Sequence, residues 1–597
     1  MAIRTVCDIF YYSVDTFRKP EHLKYKRDGA WRAIGSDEFK TAVEELSLGL
    51  RELGVAKGDK VAILAENRPE WAFADLATLA LGAADAPIYS TLTPPQVLYI
   101  LNDSESKVLF VSNAAQAAKV AEVRSRAQHL QHVIRMDPAP IEGTLLIDEV
   151  RARGRTALAK DKDAVRRRAA EVQPEDLATL IYTSGTTGDP KGVMLTHWNL
   201  VSNVLAAAQA LPGLGRDDLC LSFLPLCHSF ERTSGHNFML YTGATIAYAE
   251  SVEKVPDNLR ELHPTVMASV PRLYEKMYAR VNEKVANDPP YRQRIFRWAL
   301  KVGRKMFRHR VERTAPGAFL RLQFALADRL VFSQIKARTG GRLRMFVSGG
   351  APLAREIAEF FGAAGLLICE GYGLTETSPV ITCNRPDWIK PGTVGRPIDG
   401  VEVRIAADGE ILARGPNIMK GYYKKPEATA EVIDTEGWFH TGDIGVIDPD
   451  GFLVITDRKK DILVTSGGKN IAPQPIESGI KTNKFFAEVV MIGNKRNFPA
   501  ALVVPNFESL EKWAREKGLP GSREELVKKP EVVAFYQKLI QELTPDLAQF
   551  EKIKKIALLA HEFTIEAGEL TPTLKVKRRV VEEKYKALID ELYQGAA

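Results

Sequence analysis

Cysteine is scarce in this sequence. Five cysteines are scattered over 597 residues, at Cys7, Cys220, Cys227, Cys369 and Cys383, and none forms a Cys-x-x-Cys pair. Disulfide frameworks and structural zinc sites both depend on paired or closely spaced cysteines. The sequence therefore predicts a protein of a reducing compartment that has neither disulfides nor a zinc site.

Long uncharged hydrophobic runs are also missing. The most apolar window, residues 71–88, carries Asp75 and Asp85 and predicts a core helix rather than a membrane span. Asp8 interrupts the apolar run at the N-terminus, and no small-residue cleavage site follows it. We therefore expect no signal peptide and a cytoplasmic location.

Acidic residues are almost missing from residues 291–345. This stretch holds 15 Lys and Arg against only Glu312 and Asp328, a net charge of +13 in a chain whose total is +7. Apolar residues interleave with its first basic residues, which predicts a basic amphipathic helix. Two interpretations stay open: a solvated charged face, or a peripheral contact of residues 291–310 with the inner face of an anionic membrane. No nucleic-acid motif accompanies the patch, so we expect no nucleic acid partner.

The sequence has no Walker A loop at its most distinctive stretch, residues 181–192 (Ile-Tyr-Thr-Ser-Gly-Thr-Thr-Gly-Asp-Pro-Lys-Gly). An apolar strand is predicted before this stretch and a helix over residues 196–210 after it. Gly185 and Gly188 allow backbone N–H groups to crowd one oxyanion. Lys191 adds a charge, and four hydroxyl donors surround the glycines: Thr183, Ser184, Thr186 and Thr187. The pattern predicts a phosphate-binding loop.

Strands and helices alternate through the first part of the chain. Strands are expected at residues 58–66 and 107–111, with helices at 69–83 and 94–102 between them, which favours a layered α/β fold. A chain of this length should form two to four structural units. Beyond residue 459 the pattern changes to a compact α+β module. We predict a large domain over residues 1–459, with a basic insertion at about 275–342, and a smaller α+β domain over residues 460–597.

Further polar candidates follow predicted strands. His228 comes after a buried strand; a lone His there is more often structural, so both roles stay open. Residues 370–377 read Glu-Gly-Tyr-Gly-Leu-Thr-Glu-Thr, in which Tyr372 can lie against an adenine, Thr375 can bind a phosphate oxygen and Glu376 suits Mg²⁺. This segment could equally be a tight turn. Asp443, after a glycine, can bind ribose hydroxyls.

These segments stand in a fixed order: the Ser/Thr/Gly-Lys loop, Gly-Tyr-Gly-Leu-Thr-Glu at 371–376, Thr-Gly-Asp at 441–443, Asp-Arg-Lys-Lys-Asp at 457–461, and the segment around Lys575. Together they resemble the motif set of the AMP-forming acyl-CoA synthetases over residues 10–590. The strings at 443–458 and 570–579 and the basic insertion are most similar to long-chain fatty acid–CoA ligases. The resemblance implies a large adenylating domain and a small mobile C-terminal domain.

The resemblance also implies a reaction. A long-chain fatty acid would be activated by ATP to acyl-AMP with release of pyrophosphate, and the acyl group would then pass to CoA. Mg²⁺ would be required, and the C-terminal domain would rotate about Lys460 between the two half-reactions. The oligomeric state, with a homodimer as one option, and the preferred chain length stay open.

Roles for single residues are implied by the same resemblance. Thr375 would contact the α-phosphate, Glu376 would bind Mg²⁺ and His228 would lie beside the acyl carboxylate. Lys575 would contact the reacting groups, and Gly468 would flank the CoA channel. The remaining nucleotide contacts would be the phosphate loop (Thr183, Ser184, Gly185, Thr186, Thr187, Gly188 and Lys191), the adenine site (Gly350, Ala351, Gly371, Tyr372 and Gly373) and the ribose site (Asp443 and Arg458).

Other hypotheses remain. An acyl-AMP ligase that serves a carrier protein, or a ligase for aryl or short-chain acids, would share the fold. A degenerate synthetase that only binds nucleotide or lipid should have lost Lys191, Glu376, Asp443 or Lys575, and all four are present. A P-loop ATPase is disfavoured by the spacing of the loop.

Overall fold

The structure is a computed structural model that describes residues 2–183, 190–459, 461–466, 469–564, 567–571 and 576–594. The elements of the first 171 residues are α1 (Val6–Phe17), β1 (Leu23–Arg27), β2 (Ala30–Ile34), α2 (Ser36–Glu52), β3 (Lys60–Leu64), α3 (Pro69–Ala80), β4 (Ala84–Ile88), α4 (Pro94–Ser104), β5 (Val108–Val111), α5 (Ala114–Val123), β6 (His132–Arg135), β7 (Leu145–Leu146), α6 (Ile147–Lys160) and α7 (Ala164–Glu171).

The middle of the chain contains the insertion and most of the second large sheet. Its elements are β8 (Leu177–Thr183), β9 (Lys191–Thr196), α8 (His197–Ala210), β10 (Leu219–Ser222), a π-helical turn (Glu231–Asn237), α9 (Phe238–Thr242), β11 (Thr245–Tyr248), α10 (Val255–Leu262), β12 (Val266–Ser269), α11 (Pro271–Asn287), α12 (Pro290–Val311), α13 (Ala318–Ala327), a second π-helical turn (Asp328–Phe332), α14 (Ser333–Ala337), β13 (Met345–Ser348), α15 (Arg355–Ala363), β14 (Leu367–Gly373), β15 (Val380–Cys383) and β16 (Arg396–Pro397).

The last third begins with a small antiparallel sheet. Its elements are β17 (Glu402–Ile405), β18 (Glu410–Arg414), β19 (Gly421–Tyr422), α16 (Pro426–Ala430), β20 (Phe439–Ile447), β21 (Leu453–Arg458), β22 (Leu463–Val464), β23 (Asn470–Ile471), α17 (Pro473–Ile480), β24 (Phe486–Ile492), β25 (Ala500–Pro505), α18 (Phe507–Glu516), α19 (Arg523–Leu526), α20 (Pro530–Leu543), β26 (Lys555–Leu558), α21 (Arg578–Lys584) and α22 (Lys586–Tyr593).

Two large mixed sheets carry many of the candidate site residues, and the small antiparallel sheet carries Asp443 and Arg458. Within the described ranges, one has the strand order β19-β9-β8-β4-β3-β5-β6-β7 and the other β16-β15-β14-β13-β12-β10-β11-β1-β2. The strands from β3 to β7 pair in parallel, as do β10 to β14. Helices cover these sheets because strands buried on both faces need an apolar layer on each side. The α/β fold class is therefore confirmed.

Buried residues form separate cores. The clusters of the first part of the chain contain residues between Val6 and Leu453, whereas another cluster runs from Leu463 to Ile589. This later core lies around β24, β25 and β26, of which β24–β25 pair antiparallel and β25–β26 in parallel. It is the smaller α+β module that the sequence predicts.

The window at residues 71–88 is not one core helix. Its residues form α3 and β4, and both are buried. Asp75 and Asp85 point to one buried guanidinium, that of Arg232, at 2.5 and 2.9 Å. The prediction of a core location is confirmed, and the prediction of a single helix is wrong because the Gly82 turn divides it. Among the described helices, none combines the length and the apolar character that a membrane crossing needs.

The basic helix of the insertion is present as α12. Phe296, Val302 and Phe307 of its apolar face are buried, whereas Tyr291 and Ile295 near its start are exposed. At Gly303 an added Cβ would lie 2.4 Å from the carbonyl oxygen of Ala363 in α15, so the two helices are in close contact. Much of the apolar face of α12 is therefore used in packing, and the membrane contact of residues 291–310 stays a prediction.

Candidate functional site

The phosphate-loop stretch joins two antiparallel strands. Thr183 at the end of β8 pairs with Lys191 at the start of β9. Helix α4 holds both ends of this connection: the Tyr182 hydroxyl donates to Asp103 at 2.6 Å, and the Tyr99 hydroxyl donates to the Pro190 carbonyl at 3.0 Å. The sequence prediction of strand, loop, helix omitted one element, since β9 intervenes before α8. Five predicted contacts lie outside the described residues: Ser184, Gly185, Thr186, Thr187 and Gly188.

Lys191 and Glu376 both contact Tyr422, one at its ring and the other at its hydroxyl. The Lys191 ammonium is 4.8 Å from the centroid of the Tyr422 ring, and the Tyr422 hydroxyl donates to Glu376 Oε1 at 2.9 Å. Strand β19 places the ring there by pairing with β9, with Tyr422 opposite Val193. Burial raises the pKa of the Glu376 carboxyl, while the Tyr422 hydroxyl and the Lys191 and Arg458 charges favour its ionised form. A cation and a carboxylate are thus held beside the loop.

Tyr372 and Arg458 both contact the Asp443 carboxylate. The Tyr372 hydroxyl donates to Asp443 Oδ2 at 2.6 Å, and Arg458 Nε lies 3.4 Å from Asp443 Oδ1. Asp443 and Arg458 are opposite each other in the β20–β21 pair. Burial, followed by the Asp443 charge, raises the pKa of Tyr372. The carboxylate is therefore oriented before any ligand arrives.

The Gly-Tyr-Gly segment lies in strand β14 and is not a tight turn. An added Cβ at Gly373 would lie 1.7 Å from the Pro379 carbonyl oxygen, so only glycine fits beside β15. Gly371 is also confined, with the Thr382 carbonyl oxygen 3.3 Å from the position of a Cβ. The two glycines allow β15 to approach, which fixes the ring of Tyr372 at the strand end.

His228 lies near Thr375, because the next residue, Ser229, contacts Thr375. The Ser229 and Thr375 hydroxyl oxygens are 3.3 Å apart. His228 Nδ1 accepts from the Phe230 amide at 3.0 Å, which assigns the proton of the neutral ring to Nε2. Phe230 packs under Gly349, where a Cβ would lie 3.2 Å from the ring. The predicted segments around residues 228, 350 and 375 therefore meet at the carboxyl ends of β10, β13 and β14.

Gly350 and Ala351 form the exposed rim of this region. Gly350 has a φ of +83°, which a residue with a side chain rarely adopts. Both residues are solvent-exposed and directly follow the buried strand β13. A planar ligand could approach their backbone without meeting a side chain.

The family of the chain is apparent from its similarity to known proteins. The profile of the AMP-binding enzyme family matches residues 14–423, and the profile described as the AMP-binding enzyme C-terminal domain matches residues 460–597. The chain belongs to the AMP-binding enzyme family. The matched ranges include every described candidate residue except Asp443 and Arg458, which lie between the two profiles.

Curated relatives cover almost the whole chain. It is 38% identical over 579 residues to the long-chain-fatty-acid–CoA ligase FadD15 of Mycobacterium bovis, which covers 96% of this chain and 95% of the relative. It is 36% identical over 584 residues to long-chain-fatty-acid–CoA ligase 1 of Homo sapiens, covering 92% and 81% of the two chains. This AMP-binding enzyme is thus similar to CoA ligases along its entire length.

Solved structures share the fold at lower identity. The anthranilate CoA ligase AuaEII in complex with anthranoyl-AMP superposes with a TM-score of 0.75 at 20% identity, covering 99% of both chains. The fatty acyl CoA synthetase of Mycobacterium tuberculosis superposes with a TM-score of 0.60 at 24% identity, covering 98% of this chain and 99% of that one. Both comparisons show that the fold is shared over nearly the whole of this chain.

Two residues of this AMP-binding enzyme, Tyr422 and Arg232, were not predicted from the sequence. Tyr422 connects the predicted cation and carboxylate, yet its partner Glu376 is 46 residues away and no local pattern marks it. Arg232 is fully buried between Asp75 and Asp85 and anchors the π-helical turn that follows His228. A π-helical turn near a predicted site residue is a signal only a structure gives.

Besides the five loop residues, three further predicted residues are outside the described part of the chain: Lys460, Gly468 and Lys575. Within the described ranges, no group of three or more His, Cys, Asp or Glu side chains is arranged to hold a metal ion. Glu376 is thus a single carboxylate beside a cation and a hydroxyl, and not a member of a metal-binding cluster.

Proposed function

We propose that this chain is an AMP-forming long-chain fatty acid–CoA ligase. The two relatives described above carry that activity in their names, and the similarity extends over 92–96% of this chain. The observation that carries the proposal is that charges converge beside the loop. Lys191 and Arg458, which lie on different sheets, both lower the pKa of the Glu376 carboxyl. Such a mixture of donors and a carboxylate suits a polyphosphate with a ribose.

The residue roles follow the geometry. Thr183, Lys191 and the loop between them would bind the β- and γ-phosphates, and Thr375 would bind the α-phosphate. Asp443 and Arg458 would hold the ribose, with Tyr372 orienting the carboxylate. His228 would lie beside the acyl carboxylate. The adenine would lie against the backbone of residues 350–351 and 371–373.

The first half-reaction joins two anions. A carboxylate oxygen of the fatty acid forms a bond to the α-phosphorus, and the bond from that phosphorus to the bridging oxygen of the β-phosphate breaks, so pyrophosphate leaves. Lys191 and the hydroxyls of Thr183 and Thr375 would offset the repulsion. A donor placed on developing charge is typically worth about 2.7–4 kcal/mol.

The second half-reaction transfers the acyl group. The CoA thiolate bonds to the acyl carbon while the bond from that carbon to the phosphate oxygen breaks, and AMP leaves with the electron pair. His228 would present its Nε2 proton to the carbonyl oxygen. Lys575 is proposed to act in the first step and Gly468 in the second.

Glu376 would suit a Mg²⁺ ion that binds one protein carboxylate together with the phosphates of the substrate. Mg²⁺ commonly takes one or two carboxylates together with substrate phosphates and waters, and the half-buried Glu376 beside the loop offers such a position. When bound there, the ion would neutralise charge on the phosphates.

Four further proposals concern the chain beyond the site. We place the domain boundary at residues 459–460, which is supported by the separate cores before Leu453 and after Leu463. The C-terminal domain would rotate about Lys460 between the half-reactions. A contact of residues 291–310 with an anionic membrane, and a homodimer, also remain proposals; the exposed arginines of α12 could supply only the electrostatic part of a membrane contact.

A product assay tests the reaction. Purified protein is incubated with ATP, Mg²⁺ and palmitate, with and without CoA, and the nucleotides and acyl products are separated by chromatography. We expect AMP and palmitoyl-CoA in equal amounts when CoA is present. Acyl-AMP without a thioester would assign the chain to acyl-AMP ligases, and ADP would contradict the proposal altogether.

Asp443→Asn should raise KM for ATP about tenfold, because a charge-assisted hydrogen bond contributes about 1.5 kcal/mol or more.

A further inference from the structure

Helix α13 presents its apolar side chains to solvent. Phe319, Leu322, Leu326 and Leu330 are 73%, 69%, 51% and 46% exposed. Their spacing of three, four and four residues places them on one face that continues from α13 into the π-helical turn. We call these four residues the outer stripe. An amphipathic helix ordinarily turns such a face to the core, so its exposure requires an explanation.

The outer stripe is not needed to hold α13 in place. Ala327 and Phe332 are fully buried, and the Phe324 and Phe332 rings lie 5.8 Å apart on the inner side. Gly303 of α12 approaches the Phe332 ring so closely that a Cβ would lie 2.8 Å from it. These inner residues anchor the helix, which leaves the outer stripe unpartnered.

Cations without carboxylate partners surround the outer stripe. Arg321 and Arg329 are exposed on the same segment, and in the described part of the chain neither has a carboxylate within 4 Å. The one acid of the segment, Asp328, is paired with Lys336 at 2.7 Å. The neighbouring α12 adds exposed basic residues that likewise lack an ion pair among the described residues: Arg294, Arg297, Lys301, Arg304, Lys305 and Arg308.

We propose that the outer stripe inserts into the surface of an anionic phospholipid bilayer. The four apolar side chains would enter the boundary between headgroups and acyl chains, and Arg321 and Arg329 would bind lipid phosphates. Helices of this type bind membranes through buried apolar area together with attraction to anionic lipid. The inserting element is α13, whereas the sequence pattern pointed to α12.

The net charge around the outer stripe favours an anionic bilayer over a second copy of the chain as its partner. Residues 291–345 carry a net charge of +13, so pairing two such faces would bring like charges together. An anionic bilayer neutralises the same charge. Binding is independent of the proposed reaction, and it can be measured without any substrate.

Vesicle sedimentation tests the proposal. The full chain is mixed with vesicles of phosphatidylcholine containing phosphatidylglycerol, or of phosphatidylcholine alone. We expect the wild type to bind the anionic vesicles, and Leu322→Glu and Leu326→Glu to weaken binding about tenfold each. Val252→Glu is the matched control, since Val252 is an equally exposed apolar residue outside α13, at 56%. Arg321→Glu/Arg329→Glu should weaken binding to the anionic vesicles, whereas Arg153→Glu at an exposed position elsewhere should not.

Two results would overturn the proposal. One is unchanged binding of Leu322→Glu and Leu326→Glu to anionic vesicles. The other is a wild-type dimer in light scattering that both variants dissociate, which would assign the outer stripe to a contact between copies. Because all substituted side chains are exposed, we expect the thermal unfolding of every variant to match that of the wild type.

Discussion

At the scale of single residues, Tyr422 is the connection that organises the candidate site. Its ring lies under the Lys191 ammonium and its hydroxyl donates to Glu376, so one side chain positions a cation and a carboxylate together. A phenol in this position can orient Glu376 without contacting the substrate. We therefore regard Tyr422 as a positioning residue.

Replacing Tyr422 tests that role. Tyr422→Phe removes the hydrogen bond to Glu376 and keeps the ring under Lys191. We expect kcat to fall about tenfold and the Mg²⁺ concentration for half-maximal rate to rise, since a hydrogen bond to a charged group is worth about 1.5 kcal/mol or more. Initial rates over a Mg²⁺ titration provide the measurement.

The adjacent tyrosine is the control. The Tyr423 hydroxyl also donates to a glutamate, Glu105, at 3.2 Å, away from the candidate site. Tyr423→Phe should behave like the wild type. If both variants gave the same Mg²⁺ titration, Tyr422 would have no specific role in holding Glu376.

Glu231 provides a pH-dependent prediction. It is fully buried, and burial raises the pKa of its carboxyl from 4.5 to about 8. Between these two values the folded protein keeps a proton that the unfolded chain has released. The free energy of unfolding therefore falls as pH rises, by up to about 1.4 kcal/mol per pH unit, and Glu231→Gln should remove this loss.

Urea denaturation of the variant and the wild type at about pH 5 and about pH 8 measures the effect. The stability of Glu231→Gln relative to wild type should increase between the two pH values. Glu171→Gln, at an exposed position, should show no such change. A pH-independent difference for Glu231→Gln would mean that Glu231 titrates at the same pH in both states.

What the sequence predicted at this scale depended on local pattern. Thr375, Glu376 and Asp443 stand in short motifs and were identified without a structure. Tyr422 and Arg232 were not, because their partners are 46 and 157 residues away, for Glu376 and Asp75 respectively. Contacts between side chains so far apart in the sequence depend on the order of the strands in the sheets, which no local pattern encodes.

At the scale of elements, the π-helical turn Glu231–Asn237 is held by a buried ion triad. Arg232 binds Asp75 of α3 and Asp85 of β4, and all three side chains are fully buried. The turn follows the segment that carries His228 and Ser229, so the triad fixes that segment to the first sheet. Burial and the charge of Asp85 raise the pKa of Asp75 against the effect of Arg232.

Removal of the cation should be severe. Arg232→Met leaves two buried carboxyl groups without their partner, and we expect a loss of about 3–5 kcal/mol in the free energy of unfolding. Denaturation with urea at neutral pH measures it. Arg414→Met breaks the exposed pair with Glu402 and should cost about 1 kcal/mol or less. Equal, small losses in both variants would show that the triad contributes nothing specific.

Helices and most strands agree with the sequence pattern. The helices predicted at residues 69–83 and 94–102 are present as α3 and α4. Strand β9 was not predicted, because residues 191–196 gain strand structure from pairing with β8 and β19 on either side. The basic helix was predicted correctly as α12, whereas its surroundings were left open, since an amphipathic pattern does not specify which face meets the core.

At the scale of the whole molecule, a charge in the first part of the chain acts on a lysine of the later core. Lys481 Nζ is 2.7 Å from Glu488, and the charges of Glu488 and Glu275 raise the pKa of Lys481 above its ordinary value despite burial. Glu275 belongs to α11 in the first part of the chain, whereas Lys481 and Glu488 belong to the later core. The proposed rotation of the C-terminal domain would change the distance between Glu275 and Lys481.

The sequence predicted the division of the chain better than its arrangement. The change in pattern after residue 459 agrees with the separate later core that begins at Leu463. The position of Glu275 relative to that core could not be predicted, because it depends on how the two parts of the chain meet.

The alternation of half-reactions is tested through Lys575. If this lysine acts only in adenylation, Lys575→Ala should lower the rate of acyl-AMP formation by about 10²–10³, the effect of one donor at developing charge. Thioester formation from supplied acyl-AMP and CoA should change little, because that step would use the other domain orientation. Pyrophosphate exchange reports the first rate and chromatography of acyl-CoA the second. Lys577→Ala, two residues away, should leave both near wild type, whereas equal losses of both half-reactions in Lys575→Ala would exclude a role limited to one orientation.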